Sequence, residues 1–251
     1  MGFLEDPPQL VLEYAMHGSL RRVLDDEEAF PTLTWELRLS FVRDAAEGML
    51  YLHESMTRIH RDLKGDNLLV SETMQVKITD FDKARRFYPD GMELPTVDVT
   101  QSATMLDSRP PMSTSSLFGL ETTQFQTRSR RALSANMTTA VGTREWTAVE
   151  LLRSSTPYVR YGKAVDVYSY GVILWEVATR QLPYADLQLK EMSLLRKITT
   201  EQLRPTLSEA IPQPWMELMR DCWQDDAGSR PTFVAICSLR LDGLSGQHSN
   251  A

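Results

Sequence analysis

The segment from Ala164 to Ala178 is almost continuously apolar, and it constrains the fold more than any other part of the chain. A segment that is apolar nearly all round predicts a helix buried at the centre of a domain. It is too short to span a bilayer, and Asp166 and Glu176 interrupt it. An ionised Asp166 inside such a helix is costly unless it is hydrogen-bonded. The sequence therefore predicts a domain built around this helix.

The composition is that of a soluble globular protein. The chain has 251 residues, which corresponds to one large domain or two small ones. Its net charge of −7 argues against general nucleic-acid binding, because phosphate binding needs a basic face. Cys222 and Cys237 cannot form a disulfide framework or a four-ligand zinc site, so we expect reduced thiols. With no targeting or membrane-spanning segment visible, we predict a cytoplasmic protein without membrane insertion.

Local patterns in the first third of the chain predict short strands and helices. Leu10–Tyr14 is typical of a short strand. Ser19 is positioned to cap a short helix that continues through Leu24. Thr34 is a candidate N-cap of a longer helix, in which apolar residues recur at helical spacing.

The rest of the chain adds a hairpin, a long segment without periodicity, and further helices. Leu68–Val70 and Val76–Ile78 are predicted strands on either side of a turn. Residues 87–140 are rich in Ser and Thr and are predicted to form a long mobile insertion. Helical patterns return from Trp146 to about Leu241. The prediction is an α+β fold that is mostly helical.

The residues with the clearest chemistry lie between His60 and Asn67, in the sequence His-Arg-Asp-Leu-Lys-Gly-Asp-Asn. This stretch places Asp62 and Asn67 on one tight loop with Lys64 between them. A carboxylate, an amide and an ammonium group on one loop can orient a hydroxyl, hold a divalent cation and neutralise a phosphate. Asp80 follows a predicted strand and is a second candidate oxygen ligand for a hard cation.

These motifs resemble the catalytic loop and the metal-binding segment of protein kinases. The resemblance implies that Asp62 accepts the proton of a substrate hydroxyl and that Lys64 stabilises charge on the transferring phosphoryl group. It also implies Mg²⁺ held by Asn67 and Asp80, ATP as phosphoryl donor, and a protein substrate with a Ser or Thr hydroxyl. The same motifs imply structural support from His60, Arg61 and Phe81.

Later segments extend the resemblance. The stretch ending Ala-Val-Glu at Glu150 resembles the end of a kinase activation segment. The segment beginning at Asp166 resembles the central kinase helix, whose Asp accepts hydrogen bonds from the backbone of the catalytic loop. Arg230 resembles the late arginine that pairs with the activation-segment glutamate. The resemblance thus implies structural roles for Thr143, Glu150, Asp166 and Arg230.

Leu10–Leu20 resembles the hinge between the two kinase lobes. On that resemblance, Leu12 is the gatekeeper, and Glu13 and Ala15 offer backbone groups to adenine. Leu69 would form the floor of the adenine pocket. These roles are implied by the resemblance alone.

The resemblance also indicates a subgroup. Lys64, two residues after Asp62, is the form of the loop found in Ser/Thr-specific kinases. Trp146, Leu174–Glu176 and Cys222–Trp223 instead look like tyrosine kinases. This mixture resembles the tyrosine-kinase-like group of Ser/Thr protein kinases.

The sequence departs from the family before the hinge, where kinases carry a Gly-rich loop and a strand lysine. The chain has no G-x-G-x-x-G, and its first lysine is Lys64. We therefore expect residues 1–20 to be a remnant of N-lobe strands with the hinge, residues 21–241 to be the C-lobe, and residues 242–251 to be a flexible tail. A preceding segment of a longer chain or a partner chain would complete the N-lobe.

Two substitutions depart from the family motifs themselves. Asp82 replaces a Gly, which tolerates positive φ more readily than Asp does. Its charge would either weaken ATP binding by repelling phosphate or strengthen metal binding. Val149 replaces a Pro, and we expect this change to loosen one turn.

The insertion at residues 87–140 is expected to lie disordered within the activation segment, with short β-hairpins at the adjacent catalytic cleft. Ser134 lies in a basic context and is a candidate phosphorylation site. Its phosphate could pair with Arg61, Arg85 or Arg86 and order the segment. The alternative is a solvated linker whose serines have no role.

Three interpretations of function remain open. With an N-lobe supplied, the chain is a Ser/Thr protein kinase. Without the phosphate anchor, it is a catalytically dead kinase-like module that binds partners. The third interpretation is a partial gene product without an independent fold, because an isolated C-lobe exposes an apolar cleft. Binding of Mg·ATP discriminates the first from the second.

Overall fold

The computed structural model describes residues 2–5, 8–87, 144–153, 162–241 and 244. Its helices are α1 (Leu20–Asp25), α2 (Trp35–Glu54), α3 (Val149–Arg153), α4 (Ala164–Thr179), α5 (Glu191–Thr200), α6 (Gln213–Cys222) and α7 (Phe233–Ala235), which continues as the π-helical segment Ile236–Arg240. Its strands are β1 (Gly2–Glu5), β2 (Pro8–Val11), β3 (Gly18–Ser19), β4 (Arg58–Ile59), β5 (Leu68–Val70), β6 (Val76–Ile78) and β7 (Arg85–Arg86). The predicted α+β, mostly helical class is confirmed.

Helix α4 forms the centre of the core, as its apolar sequence predicts. Every residue from Val165 to Ala178 is buried, and the helix packs against α2 and α6. Gly171 permits the close approach of α6, because a Cβ atom at this position would lie 2.8 Å from Cys222 Cβ and 3.3 Å from the backbone nitrogen of Trp223. Cys222 is a buried free thiol.

Arginine side chains satisfy the carbonyl groups at the carboxyl end of α4. Arg38 donates to the carbonyls of Val177 and Ala178. Arg21 donates to the carbonyl of Arg180, which ends the helix in the left-handed conformation at φ 62°. These contacts satisfy carbonyls that have no partner within the helix, and they fasten α1 and α2 to the core helix.

Both predicted N-caps are confirmed. The Ser19 hydroxyl accepts a hydrogen bond from the backbone N–H of Arg22 at the start of α1. The Thr34 hydroxyl accepts one from the backbone N–H of Leu37 at the start of α2. Each cap satisfies a donor that the first helical turn leaves without an intrahelical acceptor.

Two small sheets flank the predicted catalytic loop, with β4 before the loop in one and β5 after it in the other. Strands β5 and β6 form the predicted antiparallel hairpin, with Val70 opposite Val76, and β3 pairs with the other edge of β5. Strands β4 and β7 pair with Ile59 opposite Arg85. These pairings hold the chain on both sides of the loop.

The predicted strand Leu10–Tyr14 is wrong beyond Val11. Strand β2 pairs with β1 in a hairpin and ends at Val11, which lies opposite Gly2. The following residues instead lead into a turn in which Gly18 N–H donates to the Ala15 carbonyl over 3.1 Å.

The described residues belong to one compact unit, which comprises Met1–Phe87 and Val141–Ala251. The predictions for Ser134 and Thr143 lie outside the described residues, as do those for the insertion after residue 87 and for most of the tail. Within the described ranges, no helix combines the length and apolar character needed to cross a membrane.

We expect Gly171→Ala to lower the free energy of unfolding by about 1–3 kcal/mol, because the added methyl group overpacks a contact formed partly by backbone. Urea unfolding measures the change. Gly228→Ala is the matched control, since the nearest atoms to its added Cβ lie 3.5 Å away or farther. Equal stability of the two variants would contradict this account of the α4–α6 approach.

Candidate active site

The carboxylate of Asp166 anchors the predicted catalytic loop. It lies on the buried helix α4, and its Oδ2 atom accepts hydrogen bonds from the His60 backbone N–H and the His53 Nε2, each over 2.8 Å. Its Oδ1 atom accepts from the Arg61 backbone N–H, also over 2.8 Å. These donors compensate for the burial of the charge. The hydrogen bonds that the resemblance implied for Asp166 are therefore present.

The loop is held in an uncommon backbone conformation at Arg61, where φ is 72°. A left-handed conformation is costly for a residue with a side chain and persists where neighbouring contacts over-determine it. The hydrogen bond from Arg61 N–H to Asp166 is one such contact. This bend sets the direction in which Asp62 leaves the loop.

His60 braces the loop from within. Its Nδ1 accepts from the Asp62 backbone N–H over 3.3 Å, and its Nε2 lies 2.9 Å from the Thr79 carbonyl. This pair of contacts matches the neutral tautomer that carries its proton on Nε2. The ring also packs 5.3 Å, centroid to centroid, from Phe81. His60 thereby connects the catalytic loop to the segment that carries Asp80.

Asp62, Lys64 and Asn67 lie together on the loop. Asn67 Nδ2 donates to the Asp62 carbonyl over 2.8 Å and lies 3.4 Å from Asp62 Oδ2. Lys64 Nζ lies 3.9 Å from the same carboxylate oxygen. Lys83, a residue that the sequence motifs did not single out, donates to that oxygen over 2.8 Å. The carboxylate and two ammonium groups thus converge at one point.

Asp80 follows strand β6. The residue before it is hydrogen-bonded through its backbone to the catalytic loop. The Thr79 N–H donates to the Asn67 carbonyl over 3.0 Å. Asp80 is exposed and adopts φ 60°. Asp82 is exposed in the 3₁₀ turn Phe81–Lys83 that follows. Its φ angle is not positive, so the backbone at this position is not strained by an Asp where the family has Gly.

The donor atoms near Asp80 fit a magnesium ion. Asn67 uses its amide nitrogen on the Asp62 carbonyl, which leaves the amide oxygen as a ligand atom. Within the described ranges, no group of three or more acidic, His or Cys residues could hold a metal by itself. Mg²⁺ is commonly held by one or two carboxylates with water and phosphate oxygens completing its shell, so Asn67 and Asp80 suit it when nucleotide is bound.

Of the predicted adenine-binding residues, Leu69 lies in the three-stranded sheet, and Glu13 and Ala15 contact residues of its other two strands. Leu69 is in β5, directly opposite Ser19 of β3. Glu13 forms a surface ion pair with Lys77 through both carboxylate oxygens, at 2.5 and 2.6 Å. The Ala15 carbonyl accepts from Gly18, and the predicted gatekeeper Leu12 is 59% exposed.

Glu176, the second acidic residue of α4, connects four parts of the chain. Its carboxylate accepts hydrogen bonds from the Trp146 indole N–H, the Arg21 guanidinium and the Gly65 backbone N–H. Burial raises the pKa of Glu176 to about 7, although Trp146 and Arg21 both act to lower it. Through these hydrogen bonds, Glu176 connects α4 to α1, to the catalytic loop and to the turn before α3.

Arg230 and Glu150 form the ion pair that the resemblance implied. The two guanidinium Nη atoms donate to the two carboxylate oxygens over 2.8 and 2.9 Å. The Arg230 side chain is fully buried and also donates to the Ala164 carbonyl at the start of α4. Val149 begins a regular helix and is fully buried, so it contributes packing where the family has Pro.

Sequence reasoning missed three residues of this region, namely Lys83, His53 and Glu176. Glu176 carried a usable signal, because an acidic residue in an apolar helix requires a partner just as Asp166 does. His53 gave no metal-ligand pattern and is in fact a buried donor to Asp166. Nothing in the linear pattern marks Lys83, because its contact depends on the pairing of β4 with β7.

Comparison with known proteins identifies the family. A profile of the protein tyrosine and serine/threonine kinase family matches residues 1–105 and 116–239. The chain belongs to this family. The catalytic loop, the Asp80 segment and the Glu150–Arg230 pair all lie within the matched ranges.

Named relatives agree with this assignment. The chain is 34% identical over 241 residues to probable serine/threonine-protein kinase drkA of Dictyostelium discoideum, covering 95% of this chain and 29% of the relative. It is 31% identical over 242 residues to serine/threonine-protein kinase CTR1 of Arabidopsis thaliana, covering 95% and 24%. It is 30% identical over 249 residues to human mitogen-activated protein kinase kinase kinase 11, covering 97% and 24%. The chain thus spans less than a third of the length of these relatives.

The raised pKa of Glu176 predicts a pH-dependent stability. In the unfolded chain this carboxyl ionises near its ordinary pKa of 4.5, whereas the folded protein retains the proton up to about pH 7. Between these values the folded state binds more protons, so its stability falls as the pH rises. We expect wild type to lose stability relative to Glu176→Gln between about pH 5 and about pH 8. Urea unfolding of both proteins at about pH 5 and about pH 8 measures the free energy of unfolding. An equal change in wild type and Glu176→Gln between these two pH values would contradict the prediction.

Removing the charge of Glu150 should destabilise the fold. Glu150→Gln leaves the buried guanidinium of Arg230 without its counter-charge, and we expect the free energy of unfolding to drop by about 3 kcal/mol. Glu54→Gln is the control, because Glu54 pairs with Lys163 at the surface and its loss should cost much less. Similar losses in thermal unfolding would show that the Arg230 pair is not structural.

Proposed function

We propose that this chain transfers the γ-phosphoryl group of ATP to a Ser or Thr hydroxyl of a protein substrate, once an N-lobe completes the cleft. The observation that carries the proposal is the convergence of Asp62, Lys64 and Asn67 on one loop whose backbone is bonded to Asp166. Family membership and relatives named serine/threonine kinases support the same activity.

In the proposed mechanism, the substrate hydroxyl oxygen forms a bond to the γ-phosphorus as the bond from that phosphorus to the β–γ bridging oxygen breaks. Asp62 accepts the hydroxyl proton, and ADP is the leaving group. Lys64 offsets negative charge on the phosphoryl oxygens. Catalysis of this kind depends mainly on positioning and electrostatic stabilisation, which a braced loop provides.

Asn67 and Asp80 would hold Mg²⁺ in this cleft. When bound, the ion neutralises charge on the phosphate oxygens. Glu13 and Ala15 would contribute backbone groups to adenine, and Leu69 would lie beneath the ring. These assignments rest on the resemblance to protein kinases, and the position of Leu69 in β5, opposite Ser19 of β3, supports the last of them.

A cleft beside Lys64 suits a protein substrate. It has a volume of about 450 Å³ and continues away from the catalytic loop between the turn before α3 and the chain after α4. Apolar side chains line it together with charged groups, among them Asp66, Glu145, Trp146, Leu182, Tyr184 and Leu189. An extended peptide could place its Ser or Thr at Asp62 while neighbouring side chains occupy this cleft.

The proposed organisation is a hinge with an N-lobe remnant at residues 1–20, a C-lobe at residues 21–241, and an activation-segment insertion at residues 87–140. Support for an N-lobe partner segment comes from the exposed apolar side chains of Leu12 and Tyr14 in the proposed hinge and of Phe81 next to Asp80. Apolar surface of this kind is characteristic of a docking face. The free thiols of Cys222 and Cys237 are consistent with the proposed cytoplasmic location.

A second candidate function is a catalytically inactive kinase-like module that binds partners. Two observations favour it, the extra carboxylate of Asp82 next to the proposed metal site and the ion pair between Lys83 and Asp62. Calorimetric titration with Mg·ATP separates the candidates. Heat of binding at micromolar to millimolar nucleotide supports the enzyme, and its absence supports the module.

Asp62→Asn should reduce phosphoryl transfer by at least about 100-fold, because the amide cannot accept the hydroxyl proton. The variant should unfold at the same temperature as wild type to within a few degrees, since the hydrogen bonds that anchor the loop come from the backbone. Transfer of ³²P from ATP to myelin basic protein, with the full natural chain, is the assay.

Asp221→Asn is the control for that experiment, because Asp221 forms a surface ion pair with Arg240. It should leave transfer unchanged. Undiminished transfer by Asp62→Asn would remove Asp62 from the mechanism.

A further inference from the structure

Lys83 contacts a carboxylate oxygen of Asp62, the group proposed to receive the substrate hydroxyl. Its Nζ lies 2.8 Å from Asp62 Oδ2. The Asp62 side chain is almost buried, whereas that of Lys83 is 44% exposed. The contact therefore joins a fixed anion to a cation that reaches it from the solvent side.

The contact competes directly with a substrate. Lys64 lies farther from the same oxygen, at 3.9 Å, and Asn67 Nδ2 lies at 3.4 Å. Of these three groups, Lys83 makes the shortest contact. Both partners of the Lys83–Asp62 contact are charged, whereas a hydroxyl donor carries no charge, so a substrate Ser or Thr cannot displace Lys83 without cost.

The backbone on both sides of Lys83 is held independently of its side chain. Ala84 N–H donates to the Phe81 carbonyl over 2.9 Å, and Ala84 is buried. Arg61 Nη1 donates to the Lys83 carbonyl over 3.3 Å, and β7 begins at Arg85. Release of Asp62 therefore requires only rotation of a long, flexible and half-exposed side chain.

We propose that Lys83 is a positioning residue that keeps Asp62 closed to the phosphoacceptor, so that substrate binds only to the fraction of molecules in which the ion pair is open. This inference rests on the proposed function of Asp62. A binding-competent state that is only partly populated weakens apparent affinity in proportion to its population. The free energy needed to open the ion pair therefore raises the KM for the protein substrate.

The first experiment tests the ion pair without any activity measurement. Purified protein is treated with limiting N-acetoxysuccinimide, and acetylation of Lys83 and Lys163 is followed by peptide mass spectrometry in wild type and Asp62→Asn. Lys163 pairs with Glu54 and serves as the internal reference. We expect acetylation of Lys83 relative to Lys163 to be about threefold faster in Asp62→Asn, because its ammonium loses a charged partner. Equal ratios in the two proteins overturn the inference.

The second experiment measures phosphorylation of myelin basic protein by the full natural chain. Lys83→Met should lower KM for the acceptor about fivefold with kcat within about twofold of wild type, as expected for loss of a partly exposed ion pair. Lys83→Arg should restore the wild-type KM, because it retains the cation. Lys163→Met is the surface control and should behave as wild type.

The outcomes distinguish this inference from the function on which it rests. A KM for Lys83→Met that is unchanged or higher, or a large drop in kcat, overturns the inference and leaves the kinase activity standing. Absence of phosphoryl transfer in wild type, Lys83→Met and Lys83→Arg alike overturns the proposed function, and the inference with it.

Discussion

The carboxylate of Asp166 connects the most buried helix of the protein to its most reactive loop. An ionised group inside an apolar core is tolerable only when its oxygens are fully hydrogen-bonded. Here the donors are two consecutive backbone N–H groups of the loop and the His53 side chain of α2. The need to hydrogen-bond this one buried charge thus determines the path of the loop and holds Arg61 in its left-handed conformation.

Two buried pairs of an acidic residue and an arginine extend the same arrangement outward. Glu176 links α4 to α1 and to the turn before α3, and Arg230 joins the start of α4 to Glu150. Such pairs add little net stability compared with apolar packing, but breaking one is costly. These pairs fix the relative positions of the segments they join, because each pair can form in only one arrangement of those segments. The position of the loop that carries Asp62 is therefore determined by its contacts with the core.

Much of the local structure could be predicted because its causes are local. Ser19 and Thr34 cap their helices through side chains that act three residues away, and the β5–β6 hairpin follows from two short apolar strands around a turn. The strand predicted through Tyr14 ends at Val11 because the following residues lead into a turn, which is closed by a hydrogen bond from Gly18 to Ala15. His53 and Lys83 escaped prediction because each acts on a carboxylate that lies distant in sequence or across a strand pair.

The linear pattern of residues was enough to predict the α+β class, the buried helix and the identity of the candidate chemical groups. Periodicity, capping and motif spacing are all short-range properties, and they can be read along the chain. Tertiary structure alone decided that Lys83 would meet Asp62 and that Glu176 would hold its proton to about pH 7. Both depend on burial and on distances between segments that only packing brings together, because electrostatic interactions strengthen where water is excluded.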